Sequence, residues 1–186
     1  AATPATPATA GKTRAKSWRN CKNNEGRENK YGVQAGWNAG WNDTKRIITG
    51  NEISENKNGG VKCYRWNREN DNTLNLLNNN KINSNGGYGV TFQWDHYNAK
   101  MEVKGNEIKN NRGDGFGFHA LLDNSLVFED NVIENNEGQG VYFNQIRGNV
   151  LIQDNVIKKN YYSGLYVNKT DQDRSDEIVI KNNVVS

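Results

Sequence analysis

Cysteine and histidine are scarce in this chain, with two of each in 186 residues. Neither type shows metal-ligand spacing, so a structural zinc site is not expected. No apolar run approaches the roughly 20 residues of a membrane-spanning helix. No charged segment followed by an apolar one opens the chain, so any signal peptide is expected to have been removed, with the start a linker or a mature N-terminus. Strong charge is missing too. A net charge of +3 and a pI near 8.8 permit an anionic partner but do not argue for nucleic acid. Apolar content is only 34 % and mean hydropathy is −0.97, values that would indicate disorder if the apolar residues were scattered.

They are not scattered. Asparagine is abundant, 33 residues, and it punctuates an internal repeat, Asn-x-Ile-x-x-Asn-x-x-x-Gly-φ-x-φ with φ apolar. Copies begin at Asn51, Asn80, Asn106, Asn131 and Asn155, and a sixth begins at Asn183. The steps are 29, 26, 25, 24 and 28 residues, and a recurring period of this size signals a solenoid or an array. So much Asn and Gly disfavours helix. Around Asn106 the repeat splits into Met101-Glu102-Val103, Asn106-Glu107-Ile108 and Phe116-Gly117-Phe118. Each alternates apolar and polar residues with period two, so each reads as a strand of about three residues. One such strand cannot bury its face alone. Three per turn, stacked in parallel, can enclose a core.

The expected fold is therefore all-β, a right-handed parallel β-helix of about six coils with three short strands per coil. Residues 1–13 (AATPATPATAGKT) are expected to form an Ala/Thr/Pro-rich linker or mature N-terminus, and residues 14–186 the β-helix, open or truncated at its C-terminal end. Residues 17–35 read as a degenerate first coil, with Cys21 in the column of Ile53, Ile82, Ile108, Ile133 and Ile157. Val61, Val90, Phe116, Val141 and Leu165 form a second inner column. Cys63 falls where other copies carry Phe92, Phe118, Phe143 and Val167. It is either a buried thiol acting as a small hydrophobe or half of a Cys21–Cys63 disulfide, the form export would favour. The second Asn of each copy ends a strand and suits left-handed backbone or a coil-to-coil amide ladder. The Gly four residues later suits a positive-φ corner or a close backbone approach. Polar loops of varying length (36–46, 64–73, 93–100, 119–124, 144–149, 168–177) account for the uneven period.

This repeat resembles that of the pectin-lyase-like right-handed parallel β-helix superfamily, over roughly residues 17–186. Within it, residues 86–168 are most similar to the β-helical module of mannuronan C-5-epimerases. There the strand matching Tyr88-Gly89-Val90-Thr91-Phe92-Gln93 reads Tyr-Gly-Phe-Asp-Pro-His and supplies catalytic Asp and His. Here Thr91 and Gln93 stand in those places, so that catalytic motif is not retained, and Asp95-His96 lies two residues further on. The superfamily uses the outward face of this strand to bind polysaccharide, which implies a secreted or cell-surface protein.

Alternation reads that face directly from sequence. With Val90 and Phe92 inside, the outward columns are Lys62, Thr91, Gly117, Tyr142, Tyr166 and Tyr64, Gln93, His119, Asn144, Asn168. His119 and Tyr142 are the candidate acid–base pair for β-elimination or C5 epimerisation of a uronate. Lys62 or Arg65 is placed to neutralise the sugar carboxylate. Trp94, with Tyr64, Thr91, Gln93, Asn144, Tyr166 and Asn168, completes the candidate substrate-binding set, and Trp37, Trp41, Trp66 and Tyr97 enrich the neighbouring loops in aromatics. The same His is also what an ordinary polar face offers, and the tryptophans also suit covering the base of a loop. No metal is expected, since Asp95, Asp114, Asp123 and Asp130 show no convergent pattern, and no cofactor is expected. Two functions follow. One is a protein that binds an acidic polysaccharide, with lyase or epimerase-like activity as its catalytic form. The other is a non-catalytic structural or adhesive protein whose coil ends stack by end-to-end self-association.

Overall fold

The computed structural model of the chain describes residues 20–22, 25–35, 45–63, 74–97, 100–169 and 176–186. The linker at 1–13, most of the loops at 36–46, 64–73 and 168–177, and Tyr64, Arg65, Trp37, Trp41 and Trp66 lie outside the described residues.

Every strand pairing is parallel, and each strand pairs with its equivalents one repeat earlier and later. The segment carrying the repeat isoleucine builds a seven-stranded sheet from Glu25–Gly26, Glu52–Ser54, Lys81–Asn83, Glu107–Lys109, Val132–Glu134, Val156–Lys158 and Val184–Val185. Before it in each coil comes a first segment, for example Lys45–Thr49, Leu74–Asn78 and Lys100–Lys104. After it comes a third, for example Tyr31–Ala35, Gly59–Cys63 and Tyr88–Tyr97. In two coils the third segment runs straight into the next first segment, giving the long strands Phe116–Glu129 and Val141–Gln153. Strands of two or three residues therefore hold for the second segment and for Asn20–Lys22, while the other first and third segments are longer.

Inside the coil, identical positions stack. Ile53, Ile82, Ile108, Ile133 and Ile157 are consecutive register partners, and all are buried. Val33, Val61, Val90, Phe116, Val141 and Leu165 form the second column. Cys63 is fully buried and pairs with Phe92, in the column that continues through Phe118 and Phe143. Phe92 and Phe118 stack at 4.3 Å, and Phe116 meets Phe128 edge-on at 4.9 Å. Each such buried ring or branched side chain contributes about 1.5–3 kcal/mol of transfer free energy. Cys21 is not in the isoleucine column. It pairs with Ile48 in the first segment, and Gly26 stands opposite Ile53. Cys21 and Cys63 thus belong to different segments of the coil.

Both corners of the second segment are held by asparagine. Asn51, Asn80, Asn106, Asn131, Asn155 and Asn183 form one ladder, in which each Nδ2 donates to the Oδ1 of the next at 2.8–3.0 Å. Asn56, Asn85, Asn111, Asn136 and Asn160 form the other, at 2.9 Å. Each Oδ1 also accepts the backbone N–H of the preceding Asn, and from the second rung onward the other Nδ2 hydrogen goes to a core-strand carbonyl, as from Asn111 to Ile82 at 3.2 Å. The amides are thereby saturated by their neighbours, which allows a polar column to be buried.

The left-handed residue is not the ladder Asn but the one before it. Glu55, Ser84, Asn110, Asn135 and Lys159 precede the second ladder with φ between 53° and 58°, and Gly50, Asn79, Gly105, Asp130, Asp154 and Asn182 precede the first. This turn aims the following Asn inward. The repeat glycine has ordinary φ and answers to space instead. A Cβ on Gly89 would lie 2.4 Å from Ile108 Cγ2 and 2.6 Å from the Gly115 carbonyl.

Candidate functional site

Of the outer surfaces, the second sheet neutralises itself. Glu52, Lys81 and Glu107 are consecutive partners in one of its columns, and Lys109, Glu134 and Lys158 in another. Alternating signs one coil apart leave no single-sign strip there. The third segment differs.

On that face Gln34, Lys62, Thr91, Gly117, Tyr142 and Tyr166 are consecutive register partners. Neighbouring coils sit about 4.8 Å apart, so this column runs along the solenoid axis. Lys62, Thr91 and Tyr142 are half-buried, and Tyr166 is exposed. Tyr142 and Tyr166 stack with ring centroids 5.1 Å apart and planes 27° apart. Between Thr91 and Tyr142 the column holds only the backbone of Gly117.

A second column lies beside it. Phe118 pairs with Phe92 but Ala120 pairs with Asp95, so Gln93 and Trp94 together face the single residue His119. Two residues against one is a β-bulge, which bends the strand and re-aims side chains. His119 is exposed, Gln93 and Asn144 are half-buried, and Asn168 is exposed. His119 and Tyr142 are on adjacent coils, and no hydrogen bond joins them. The side chains of Trp94, Asp95 and His96 lie outside the described residues, as do Tyr64 and Arg65 entirely.

Sequence reasoning missed the group that surrounds Lys62. Its Nζ donates to the Tyr31 hydroxyl at 3.4 Å and lies 4.9 Å from that ring's centroid. Tyr31 stacks on Tyr88 at 6.2 Å and 15°, two coils away. They meet because Gly59 stands between them, where a Cβ would lie 2.5 Å from the Tyr88 ring. The signal was present: Tyr31 and Tyr88 precede the repeat glycine in their coils and Gly59 replaces them in the coil between. The Tyr31 phenol is held below the ordinary tyrosine pKa. A side-chain hydrogen bond with Asn58 is the largest cause; partial burial opposes it, and Lys62 and Tyr88 add to it.

That shift can be measured. Spectrophotometric titration should show one phenol ionising ahead of the ordinary tyrosine range near pH 10. Tyr31→Phe should remove that early step and Lys62→Ala should move it upward; an early step that survives Tyr31→Phe would contradict the assignment. The sign for stability follows. A lowered folded-state pKa favours the folded phenolate, so this contribution is present above the unfolded tyrosine value and is lost as pH falls through the lowered one.

The face thus combines a lysine ordered by a tyrosine, a stacked tyrosine pair, amides and one histidine. Among the described residues no three His, Cys, Asp or Glu side chains are grouped to hold a metal ion. Among them, too, no helix is long and apolar enough to cross a membrane. No curated protein and no solved structure matches the chain. The family described as the right-handed β-helix region matches residues 15–186, nearly the whole sequence, in agreement with the parallel coils, their stacked columns and their asparagine ladders. The chain belongs to the right-handed β-helix family.

Proposed function

We propose that the outer face of the third segments binds an anionic polysaccharide laid along the solenoid axis. One observation carries this reading: Lys62 and the stacked Tyr142–Tyr166 pair share a single register column. Three coil steps separate Lys62 from Tyr142, about 14 Å at 4.8 Å per coil. A linear polymer can therefore place a carboxylate on the ammonium and rings on the tyrosines at once. Gln93, Asn144 and Asn168 supply hydrogen-bonding groups along the same line. Since such polymers lie outside the cytoplasm, the reading carries a secreted or cell-surface location with it. The strip also holds His119 and Tyr142 on adjacent coils, the acid–base types that cleavage or C5 epimerisation of a uronate would use, while Lys62, two coils from His119, would hold the carboxylate of another sugar of the polymer.

Affinity electrophoresis in gels containing alginate, polygalacturonate or chondroitin sulfate tests binding. The chain should be retarded by at least one of them, and Lys62→Ala should weaken that retardation about tenfold. An unsaturated-uronate absorbance assay with His119→Ala as control tests catalysis. No retardation in any gel would remove the binding reading.

One observation favours a structural role instead. Among the described residues every exposed large apolar side chain falls in the last coil or beyond it: Tyr161, Tyr162, Tyr166, Ile180, Val184 and Val185. Exposed apolar side chains gathered in one place suit contact between molecules. Sedimentation of the purified chain checks this, and a monomer at all concentrations would set it aside.

A further inference from the structure

Among the described glycines, most have no room for a side chain. A Cβ on Gly32, Gly59, Gly60, Gly86, Gly87, Gly89, Gly115, Gly138, Gly140 or Gly164 would lie within 2.6 Å of a neighbouring atom. Gly105 has positive φ. Gly117 is different. An added Cβ there would meet only the Tyr142 carbonyl oxygen, at 3.9 Å, and its φ is not positive. It lies within the strand Phe116–Glu129, where glycine weakens the strand relative to a β-branched residue. Neither space nor backbone conformation calls for glycine at this position. Glycine inside a strand often marks a place where a ligand or another backbone approaches closely, and among the described residues no atom but the Tyr142 carbonyl oxygen comes within 4 Å of the added Cβ.

Its neighbours give the gap a shape. Gly117 pairs with Thr91 on one side and Tyr142 on the other. Tyr166 stacks on one face of Tyr142, and the opposite side of that ring looks along the column toward the position where Gly117 has no side chain. Gly117 itself is buried, so the space is a narrow slot between Thr91 and Tyr142. Thr91 and Tyr142 stand two coil steps apart, about 10 Å, which leaves width for one flat ring between their side chains. His119 lies two residues along the same strand, and Gln93 and Asn144 flank it on the adjoining coils.

We propose that the slot over Gly117 is the central sugar subsite of the strip: a pyranose ring of the acidic polysaccharide packs on the uncovered side of Tyr142, over the Gly117 backbone. Its edge hydroxyls face His119 and Asn144. This rests on the polysaccharide-binding reading and names the position at which a sugar ring is recognised.

The test is Gly117→Thr beside Lys62→Ala, in the same alginate, polygalacturonate and chondroitin sulfate gels. Gly117→Thr should melt at or above the temperature of the parent chain, because threonine suits a strand and its Cβ has room. Its affinity for the retarding polysaccharide should fall at least tenfold. Gly117→Ala, the smaller filling, should lose about threefold, and it decides the matter if the threonine variant does not fold. If both variants bind like the parent chain while Lys62→Ala is weakened, the strip binds polysaccharide and the subsite is overturned. If the parent chain is retarded by none of the three polymers, the subsite falls together with the reading beneath it. A marked loss of stability in Gly117→Ala also overturns it, since the glycine would then serve the fold.

Discussion

Asn111→Ala is expected to destabilise the chain by roughly 3–6 kcal/mol, more than most single surface or core changes. Asn111 is fully buried. Its Oδ1 accepts both the backbone N–H and the Nδ2 of Asn85, at 3.1 and 2.9 Å. Its own Nδ2 donates to the Ile82 carbonyl and to Asn136 Oδ1. Alanine keeps the backbone but leaves two donors of Asn85 without partners, away from water, and removes the side-chain bond to the Ile82 carbonyl. Each buried group so orphaned costs about 1–3 kcal/mol. Asn111→Asp should be no rescue, because the carboxylate lacks the two donors and brings a buried charge. The ladder also predicts a gradient. Asn183 accepts from Asn155 in the same way, at 2.8 Å, but it is only half-buried, so water can replace what alanine removes. Asn183→Ala should cost about 1 kcal/mol. Denaturant unfolding of the two variants checks this, and equal small losses would mean that the ladder is not what holds the corners.

Gly115→Ala should be severe, and Gly117→Ala, two residues on, should be nearly silent for stability. At Gly115 a Cβ would lie 2.6 Å from Ile133 Cγ2, 2.7 Å from the Gly140 carbonyl and 2.8 Å from Asn136 Nδ2. Two of those neighbours are a backbone carbonyl and a ladder amide, neither able to move without breaking hydrogen bonds of the next coil. Overpacking costs about 1–3 kcal/mol, occasionally more, and neighbours this rigid put Gly115 at the upper end of that range. At Gly117 the one neighbour within reach is at 3.9 Å. Thermal unfolding of the two variants side by side separates a glycine kept for the fold from one kept for the surface. Similar melting temperatures would contradict the distinction.

Much of the fold was legible because a solenoid writes each structural requirement several times. The isoleucine column, the Val/Phe column and the Asn–Gly spacing recur in five copies, and the observed register follows them residue for residue. Legibility failed where repetition failed. The first coil carries Gly26 in place of the isoleucine, so nothing in its sequence showed that Cys21 belongs to the first segment. The recurring Asn suits both a left-handed turn and an amide ladder; the structure gives it the ladder, and the left-handed turn falls one residue earlier, on Gly, Asn or Asp before the first ladder but on Glu, Ser, Asn or Lys before the second. The long strands were hidden because their connecting stretches, HALLDN at 119–124 and NQIRGN at 144–149, have the polar, Asn- and Gly-containing composition of loops, yet the backbone stays extended through both.

The candidate site divides in the same way. Its outward column could be read from alternation, since Lys62, Thr91, Gly117, Tyr142 and Tyr166 occupy one repeat position. The partner of Lys62 could not, because Tyr31 lies 31 residues away and reaches it from another column. Nor could the bulge that sets His119 against both Gln93 and Trp94, since a register shift depends on how two strands pair and not on either strand alone. Gly117 is indistinguishable in sequence from a glycine required by the fold; only the space around its Cα sets it apart.

The central claim, that the third-segment face is where a polysaccharide lies, is tested most directly by NMR chemical-shift mapping with an acidic oligosaccharide that the chain retains. The account predicts shifts confined to Lys62, Thr91, Gln93, Gly117, His119, Tyr142, Asn144 and Tyr166, one line along the axis. Shifts centred instead on the outward residues of the first segment, Leu76, Glu102, Val127 and Leu151, would contradict it.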